Sequence, residues 1–219
     1  MKAFVAGATG RTGQLIVKAL EQRQIPTRSL VRDRQKAAAV LSDWSEQWVG
    51  DVLQPETLDA AIAGCDVVFC ATGAQPSWDP TLPYRVDFEG TKNLVDAAKR
   101  QQVQHMVFVS SLCVSRLLHP LNIFWLILVW KKQAEAYLQG SGLTYTIVRP
   151  GGLKSTAPTD PLQMAAADTL FEGSLSREQV AEVCVEALRL PSAKNKVVEI
   201  IAQPDAPQQT LEQWFDSIT

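Results

Sequence analysis

The stretch Lys2-Ala-Phe-Val-Ala-Gly7-Ala-Thr9-Gly10-Arg11-Thr12-Gly13-Gln-Leu-Ile16 decides the fold. Residues 2–6 read as a short β-strand, and residues 12–24 as a helix with Leu15, Ile16, Ala19 and Leu20 on one face. In a strand–turn–helix the three glycines have different tasks. Gly7 permits the tight turn, Gly10 lets the backbone approach a pyrophosphate, and Gly13 lets the helix pack closely on the strand. The helix start offers unpaired N–H groups and a partial positive charge to phosphates. Thr9 and Thr12 add hydroxyl donors. A bare βα turn is the plainer alternative, and the strand before and helix after count against it.

Outward from this loop, apolar runs and helical stretches alternate. Strands are expected over 27–31, 47–52, 66–71 and 105–110, with helices over 35–41, 55–63 and 87–101 between them. The 66–71 run is nearly all apolar, as suits a strand covered on both faces. After Ser111 a loop leads to an apolar segment that turns amphipathic over 131–138, followed by a strand at 143–148. Residues 150–173 read as a long functional loop with room for one helical turn. Ser176-Arg-Glu-Gln179 resembles a capping box opening a helix over 180–190, before a last strand at 197–202 and a terminal helix at 211–218. Such repeats imply an α/β fold: a Rossmann-like doubly wound parallel sheet of about seven strands, with right-handed crossovers and helices on both faces. The 219 residues fit a single NAD(P)-binding domain over 1–219, with a nucleotide-binding core at 1–150 and a small C-terminal substrate or lid portion at 151–219. Ligands of such sheets bind at the carboxyl ends of the strands, at the switch point.

The second strand ends Leu30-Val31-Arg32-Asp33-Arg34. An NAD site places Asp or Glu near this point to hold the ribose 2′-OH. Arg32 stands there instead, and a guanidinium pairs with a 2′-phosphate. Arg11 points to the same region. Asp33 argues the other way, since a one-residue shift puts it on the ribose, and Arg32 with Arg34 also reads as a solvated cluster. The two arginines favour NADP(H). Asp51 is placed to accept from the adenine amino group and Val52 to pack on the ring, against the alternative of a simple turn into Pro55. Ala71, Thr72 and Gly73 end the fourth strand and are small enough for a cofactor to cross the sheet edge, or form a plain turn.

Lys plus Arg number 21 and Asp plus Glu 23, a net charge of -2, without the basic excess of a nucleic-acid binder. The four cysteines form no CxxC pair, and two histidines are too few for a zinc cluster, so four free thiols in a reducing compartment are expected. The N-terminus lacks the pattern of a signal peptide. The longest apolar stretch, 117–130, contains His119, Pro120 and Asn122 and falls short of the roughly 20 residues of a membrane span. A cytoplasmic protein, or one peripheral to a membrane, is expected.

Together these stretches resemble the atypical short-chain dehydrogenase/reductases. The resemblance points to their NAD(P)H-binding group of NmrA/Tic62-like and flavin/biliverdin-reductase-like proteins, similar to small plastid and cyanobacterial NADP-binding proteins. It is carried by Gly7 to Gly13, Leu30-Val-Arg32, Gly50-Asp51, Ile127-Leu-Val-Trp-Lys131-Lys-Gln-Ala-Glu135 and Gly140-Ser-Gly-Leu-Thr-Tyr-Thr-Ile-Val-Arg-Pro-Gly-Gly-Leu153. It covers nearly the whole chain and implies a seven-stranded Rossmann fold and NADP binding. In the wider superfamily a Ser after the fifth strand and a Tyr-x-x-x-Lys pair on the next helix do the chemistry. Ser111 matches the serine, with Ser110 beside it, and Lys131 matches the lysine, which would hold the nicotinamide ribose. The tyrosine position is Ile127, which transfers no proton, and Tyr137 is out of phase with Lys131. A surface charge beside Lys132 is the plain reading of Lys131, and a hydroxyl bonded back to the strand end that of Ser111. His119 is a weaker candidate. The resemblance places Pro150, Gly151 and Gly152 against the nicotinamide end; a loop hinge is the alternative.

The apolar segment 121–130 is more than one helix face can bury. It is a candidate partner surface, lipophilic substrate mouth or shallow membrane contact. Two functions compete. One is an NADPH-dependent reductase of a flat apolar acceptor, such as a flavin, a quinone or a tetrapyrrole, for which a missing tyrosine is tolerable. The other is a non-catalytic NADP(H) sensor or scaffold docking to a membrane-associated complex. Sugar-nucleotide epimerisation is disfavoured by Ile127.

Overall fold

A computed structural model describes residues 1–75, 77–120, 122 and 126–218. Its strands, in chain order, are β1 (Ala3–Ala6), β2 (Thr27–Val31), β3 (Ser45–Val49), β4 (Val67–Cys70), β5 (His105–Val109), β6 (Tyr145–Pro150), β7 (Gly152–Lys154), β8 (Leu162–Ala166), β9 (Ser174–Ser176) and β10 (Lys196–Ala202). They form one sheet in the order β3-β2-β1-β4-β5-β6-β10-β9-β7, with β8 paired on β10. The first seven in that order are mutually parallel, and β8 and β9 run antiparallel to β10. The order 3-2-1-4-5-6 is that of a dinucleotide-binding doubly wound sheet, with its switch point between β1 and β4.

The expected Rossmann-like class holds. The strand count is ten among the described residues rather than about seven, because the stretch read as a long loop contributes β7 and β8, and β9 follows it directly. These are short, and β7 is exposed at all three residues, so they carry no alternating apolar pattern. Pairing creates them: β8 and β9 pair with β10, and β7 with β9. Strand β3 begins two residues earlier than expected and stops at Val49. It is an edge strand held by polar contacts, Ser29 Oγ to Ser45 Oγ at 2.5 Å and Arg28 Nε to Glu46 Oε2 at 3.0 Å. Apolar periodicity does not report such contacts. The C-terminal portion is continuous with the sheet, since β10 lies directly against β6.

The helices are α1 (Arg11–Gln22), α2 (Arg34–Ala38), α3 (Leu58–Ile62), α4 (Gly90–Arg100), α5 (Ile127–Gln139), α6 (Arg177–Glu186) and α7 (Leu211–Ser217). A π-helical segment, Tyr84–Glu89, runs into α4. Strand side chains alternate between two apolar layers. Val5, Phe69, Val107, Val148 and Val198 face α1, α6 and α7; Phe4, Val68, Phe108 and Ile147 face α3, α4 and α5. Burying a side chain of the size of Phe69 contributes about 1.5–3 kcal/mol, so the sheet is clamped from both sides. The carboxyl ends of its strands are left to carry the site.

Candidate functional site

Gly7 sits at φ +80°, and a Cβ there would lie 2.5 Å from the Ala71 carbonyl oxygen. A Cβ on Gly13 would lie 2.1 Å from the Gly7 carbonyl oxygen. Both positions therefore demand glycine for the turn itself. Gly10 is the N-cap of α1, with its N–H donating to Gly7 O at 2.9 Å. Among the described residues four α-helices start from an extended N-cap. Asp33, Ser176 and Thr210 cap theirs with a side-chain oxygen; Gly10 caps nothing, and the first turn of α1 has no acid. The amides at the start of α1 are left for an external anion, the arrangement a dinucleotide diphosphate requires. Thr9 and Arg11 are exposed beside them, and Thr12 is half-buried.

Arg32 follows β2 and is exposed. The Asp33 carboxylate accepts from Gln35 N at 2.9 Å and Lys36 N at 3.2 Å, so the acid that competed for the ribose is occupied as the cap of α2. Asp51 Oδ1 accepts from Leu53 N at 3.0 Å in the turn after β3. Val52 is buried against Gly90, and its carbonyl accepts from Asn93 Nδ2 at 2.9 Å. Ala71 N donates to Ala6 O at 3.0 Å across the switch point, and Thr72 Oγ1 lies 3.3 Å from Cys70 Sγ. Gly73 is exposed on the rim.

On the other side of the switch point, Ser111 is half-buried after β5. The next residue's N–H, that of Leu112, donates to Pro150 O at 3.0 Å. Lys131 extends from α5 toward the same edge, largely buried, with its Nζ 5.6 Å from the Phe108 ring centre. Its counter-charge is Asp87, which the sequence reading missed. Asp87 is 1% exposed; its Oδ1 lies 2.9 Å from Lys131 Nζ, an ion pair without the alignment of a hydrogen bond, and its Oδ2 accepts from Ala74 N at 3.1 Å. An acid between Val86 and Phe88 was the available signal. Ile127 opens α5 one turn before Lys131, and Tyr137 turns away to donate to Asp96 Oδ1 at 2.6 Å.

Ser110 is buried and donates its hydroxyl to Glu135 Oε1 at 2.6 Å. Glu135 belongs to a second feature missed from sequence. Arg149, 1% exposed, is held bidentately by Glu135 (Nε to Oε1 2.9 Å, Nη2 to Oε2 2.7 Å), and its Nη1 donates to Glu199 at 3.2 Å and Asp168 at 2.9 Å. Glu199 also accepts the backbone N–H groups of Asp168, Thr169 and Leu170. Burial disfavours the Arg149 cation, but its carboxylates more than reverse this and hold its pKa above the ordinary guanidinium value. For Asp168 burial works against ionisation, while the Ser115 hydroxyl and Arg149 hold the carboxyl below its usual range. Pro150 ends β6, and Gly151 follows it. A Cβ on Gly151 would lie 2.6 Å from Gly173 O, and Gly152 N donates to Gly173 O at 2.9 Å, so these glycines admit a neighbouring strand.

Of the apolar segment, residues 121 and 123–125 lie outside the described residues. Leu128 is buried, and Leu126 is exposed with Leu117 and Leu118 of the preceding loop. Trp78, in the loop after β4, is also exposed. His119 is half-buried in the loop after β5.

A family model described as NAD(P)H-binding matches residues 7–191. The chain belongs to that NAD(P)H-binding family. NAD(P)H is accordingly the cofactor, and the uncapped start of α1 fits its diphosphate. Among relatives, an uncharacterized chloroplastic protein of Arabidopsis thaliana is 45% identical over 99% of this chain and 82% of its own length. Protein TIC 62, chloroplastic, of Pisum sativum is 36% identical over 98% of this chain, which spans 45% of that protein. Sanguinarine reductase of Eschscholzia californica is 32% identical over all of this chain and 96% of its own. Among solved structures, a putative NAD-dependent epimerase/dehydratase from Bacillus halodurans superposes with TM-score 0.87 at 23% identity over 99% of each chain. A short-chain dehydrogenase/reductase from Veillonella parvula in complex with NADP superposes with TM-score 0.74 at 19% identity, over 95% of this chain and 99% of that one. Chloroplastic relatives leave the expected cytoplasmic location without support. No helix among the described residues is long and apolar enough to cross a membrane.

Proposed function

We propose that the chain is an NADPH-dependent reductase of a flat, apolar acceptor, working without the superfamily's tyrosine. The observation that carries this reading is the buried Lys131–Asp87 pair, retained although Ile127 stands where the proton donor would be. A side chain serving only as surface charge has no need of a buried counter-ion. The bound coenzyme supplies a hydride. The chain positions: Lys131 binds the nicotinamide ribose hydroxyls, Ser111 donates a hydrogen bond to the acceptor, and Ser110, fixed on Glu135, holds that turn in place. Arg32, with the competing Asp33 occupied, selects the 2′-phosphate and therefore NADP(H) over NAD(H). A flavin, quinone or tetrapyrrole takes its proton from water, so no protein acid is needed. The segment 151–176 forms the acceptor side, and the similarity to sanguinarine reductase supports a reductase activity.

A second reading, a non-catalytic NADP(H) sensor or scaffold at the surface of a membrane-associated complex, is favoured by the exposed Trp78, Leu117 and Leu118 on the loops after β4 and β5. One assay separates the two. Purified protein is mixed with NADPH and a panel of flavins, quinones and tetrapyrroles, and NADPH absorbance is followed. Turnover that Ser111→Ala abolishes supports the reductase; tight NADPH binding with no oxidation by any acceptor supports the sensor.

A further inference from the structure

Helices α1 and α6 lie side by side on one face of the sheet. Arg23, just past the end of α1, pairs with Glu182 and with Glu186 late in α6. Nearer their starts, Leu15 and Lys18 face Glu178 and Gln179 across a cleft of about 360 Å³. The helices therefore run in the same direction, and their first residues both stand at the carboxyl edge. Those first residues are Arg11 and Arg177.

A helix start favours negative charge, so a cation in the first helical position is electrostatically misplaced, and here two stand at neighbouring starts. Neither forms an ion pair with a carboxylate among the described residues; Arg177 Nη1 donates instead to Ser155 Oγ at 2.8 Å, in the loop after β7. Arg177 is only partly exposed, and its burial, together with the nearby Arg11 charge, pushes its pKa below the ordinary guanidinium value. An anion between the two arginines relieves the repulsion and offsets the cost of burial.

We propose that Arg177 is a cofactor-binding residue that, together with Arg11, grips the diphosphate of NAD(P)H at the uncapped start of α1. Position separates this role from that of Arg32. Helix α1 packs over β1 and β2, and α6 over β6 and β9, so Arg32 at the end of β2 and Arg177 flank Arg11 from opposite sides. The diphosphate is common to both coenzymes, whereas the 2′-phosphate is not. The proposal rests on the family's cofactor and not on the reductase reading.

The test is calorimetric titration of the full chain with NADPH and NADH. Arg177→Gln is expected to weaken both coenzymes about tenfold, or about 1.4 kcal/mol. The coenzyme-free variant should melt no lower than the wild type, because a like-charge contact has been removed. The rise in melting temperature produced by NADPH, and by inorganic pyrophosphate alone, should shrink. Arg177→Lys should recover part of the affinity. Affinities within twofold of wild type, a loss confined to NADPH, or a lowered melting temperature of the coenzyme-free variant would each overturn the assignment. Equal behaviour of the two coenzymes toward Arg32→Ala would remove the 2′-phosphate reading and leave this one standing.

Discussion

Lys131 Nζ lies 2.9 Å from Oδ1 of Asp87, an acid that is 1% exposed at the foot of the loop after β4. The same carboxylate holds the Ala74 N–H, so one side chain joins α5 to the rim of the cofactor cleft. Removing either partner leaves a buried charge alone, which costs about 3–5 kcal/mol.

Asp87→Asn is therefore expected to lower stability by about 3 kcal/mol and to weaken NADPH binding several-fold, since Lys131 loses its anchor. The double variant Asp87→Asn/Lys131→Met should recover part of the stability and none of the affinity. Urea denaturation with and without NADPH measures both; additive losses in the double variant would show that the pair is not coupled.

Arg149 is the corresponding hub beneath Ser110. Arg149→Met leaves Glu135 and Glu199 buried as neighbouring like charges, and a loss of about 3–5 kcal/mol is expected. Asp168 has a half-exposed carboxylate, so Asp168→Asn should cost about 1 kcal/mol or less. Urea denaturation of the two variants measures the difference; equal losses for Arg149→Met and Asp168→Asn would contradict this account.

The backbone of this fold was legible because its central strands are apolar on both faces and its turns use residue types with one purpose. Gly7 and Gly13 are required by contacts under 3 Å, and Ser176 with Gln179 forms the capping box that its spacing announced. What escaped was non-local. Strands β8 and β9 exist because β10, some 20–40 residues further on, gives them hydrogen bonds, and β7 exists because β9 does the same for it. Asp87, Glu135, Arg149 and Glu199 look like ordinary charges in sequence; only the folded chain brings them beneath the strand ends, from α5, β6, β10 and the π-helical segment. Gly151, which the resemblance sets against the nicotinamide end, also lies where a Cβ would meet Gly173 O at 2.6 Å, a contact with no signal in the sequence.

Arg32→Ala tests coenzyme choice. With Asp33 committed to the cap of α2, nothing acidic at the end of β2 is placed to hold a ribose 2′-OH. A charge-assisted contact to the 2′-phosphate is worth about 1.5–3 kcal/mol, so NADPH affinity is expected to fall more than tenfold while that for NADH changes less than twofold. Titration with each coenzyme under matched salt decides the matter; an equal loss for both would take Arg32 away from the phosphate.

His105 sets a pH limit on stability. Its Nε2 lies 2.9 Å from Thr146 Oγ1, and that hydroxyl donates to Ala193 O at 2.7 Å, so the ring is the donor to Thr146. Burial above all, with the Lys194 charge, lowers its pKa from 6.5 to about 4. The folded-state pKa lies below the unfolded one, so the unfolded chain gains a proton near pH 6.5 that the native chain refuses until about pH 4. Its contribution is therefore complete above pH 6.5 and is lost progressively as pH falls toward 4, to a limit of about 3 kcal/mol. Urea midpoints measured across that interval should decline more steeply for the wild type than for His105→Gln. Parallel curves would mean that His105 is already protonated in the native sheet, or remains neutral in both states.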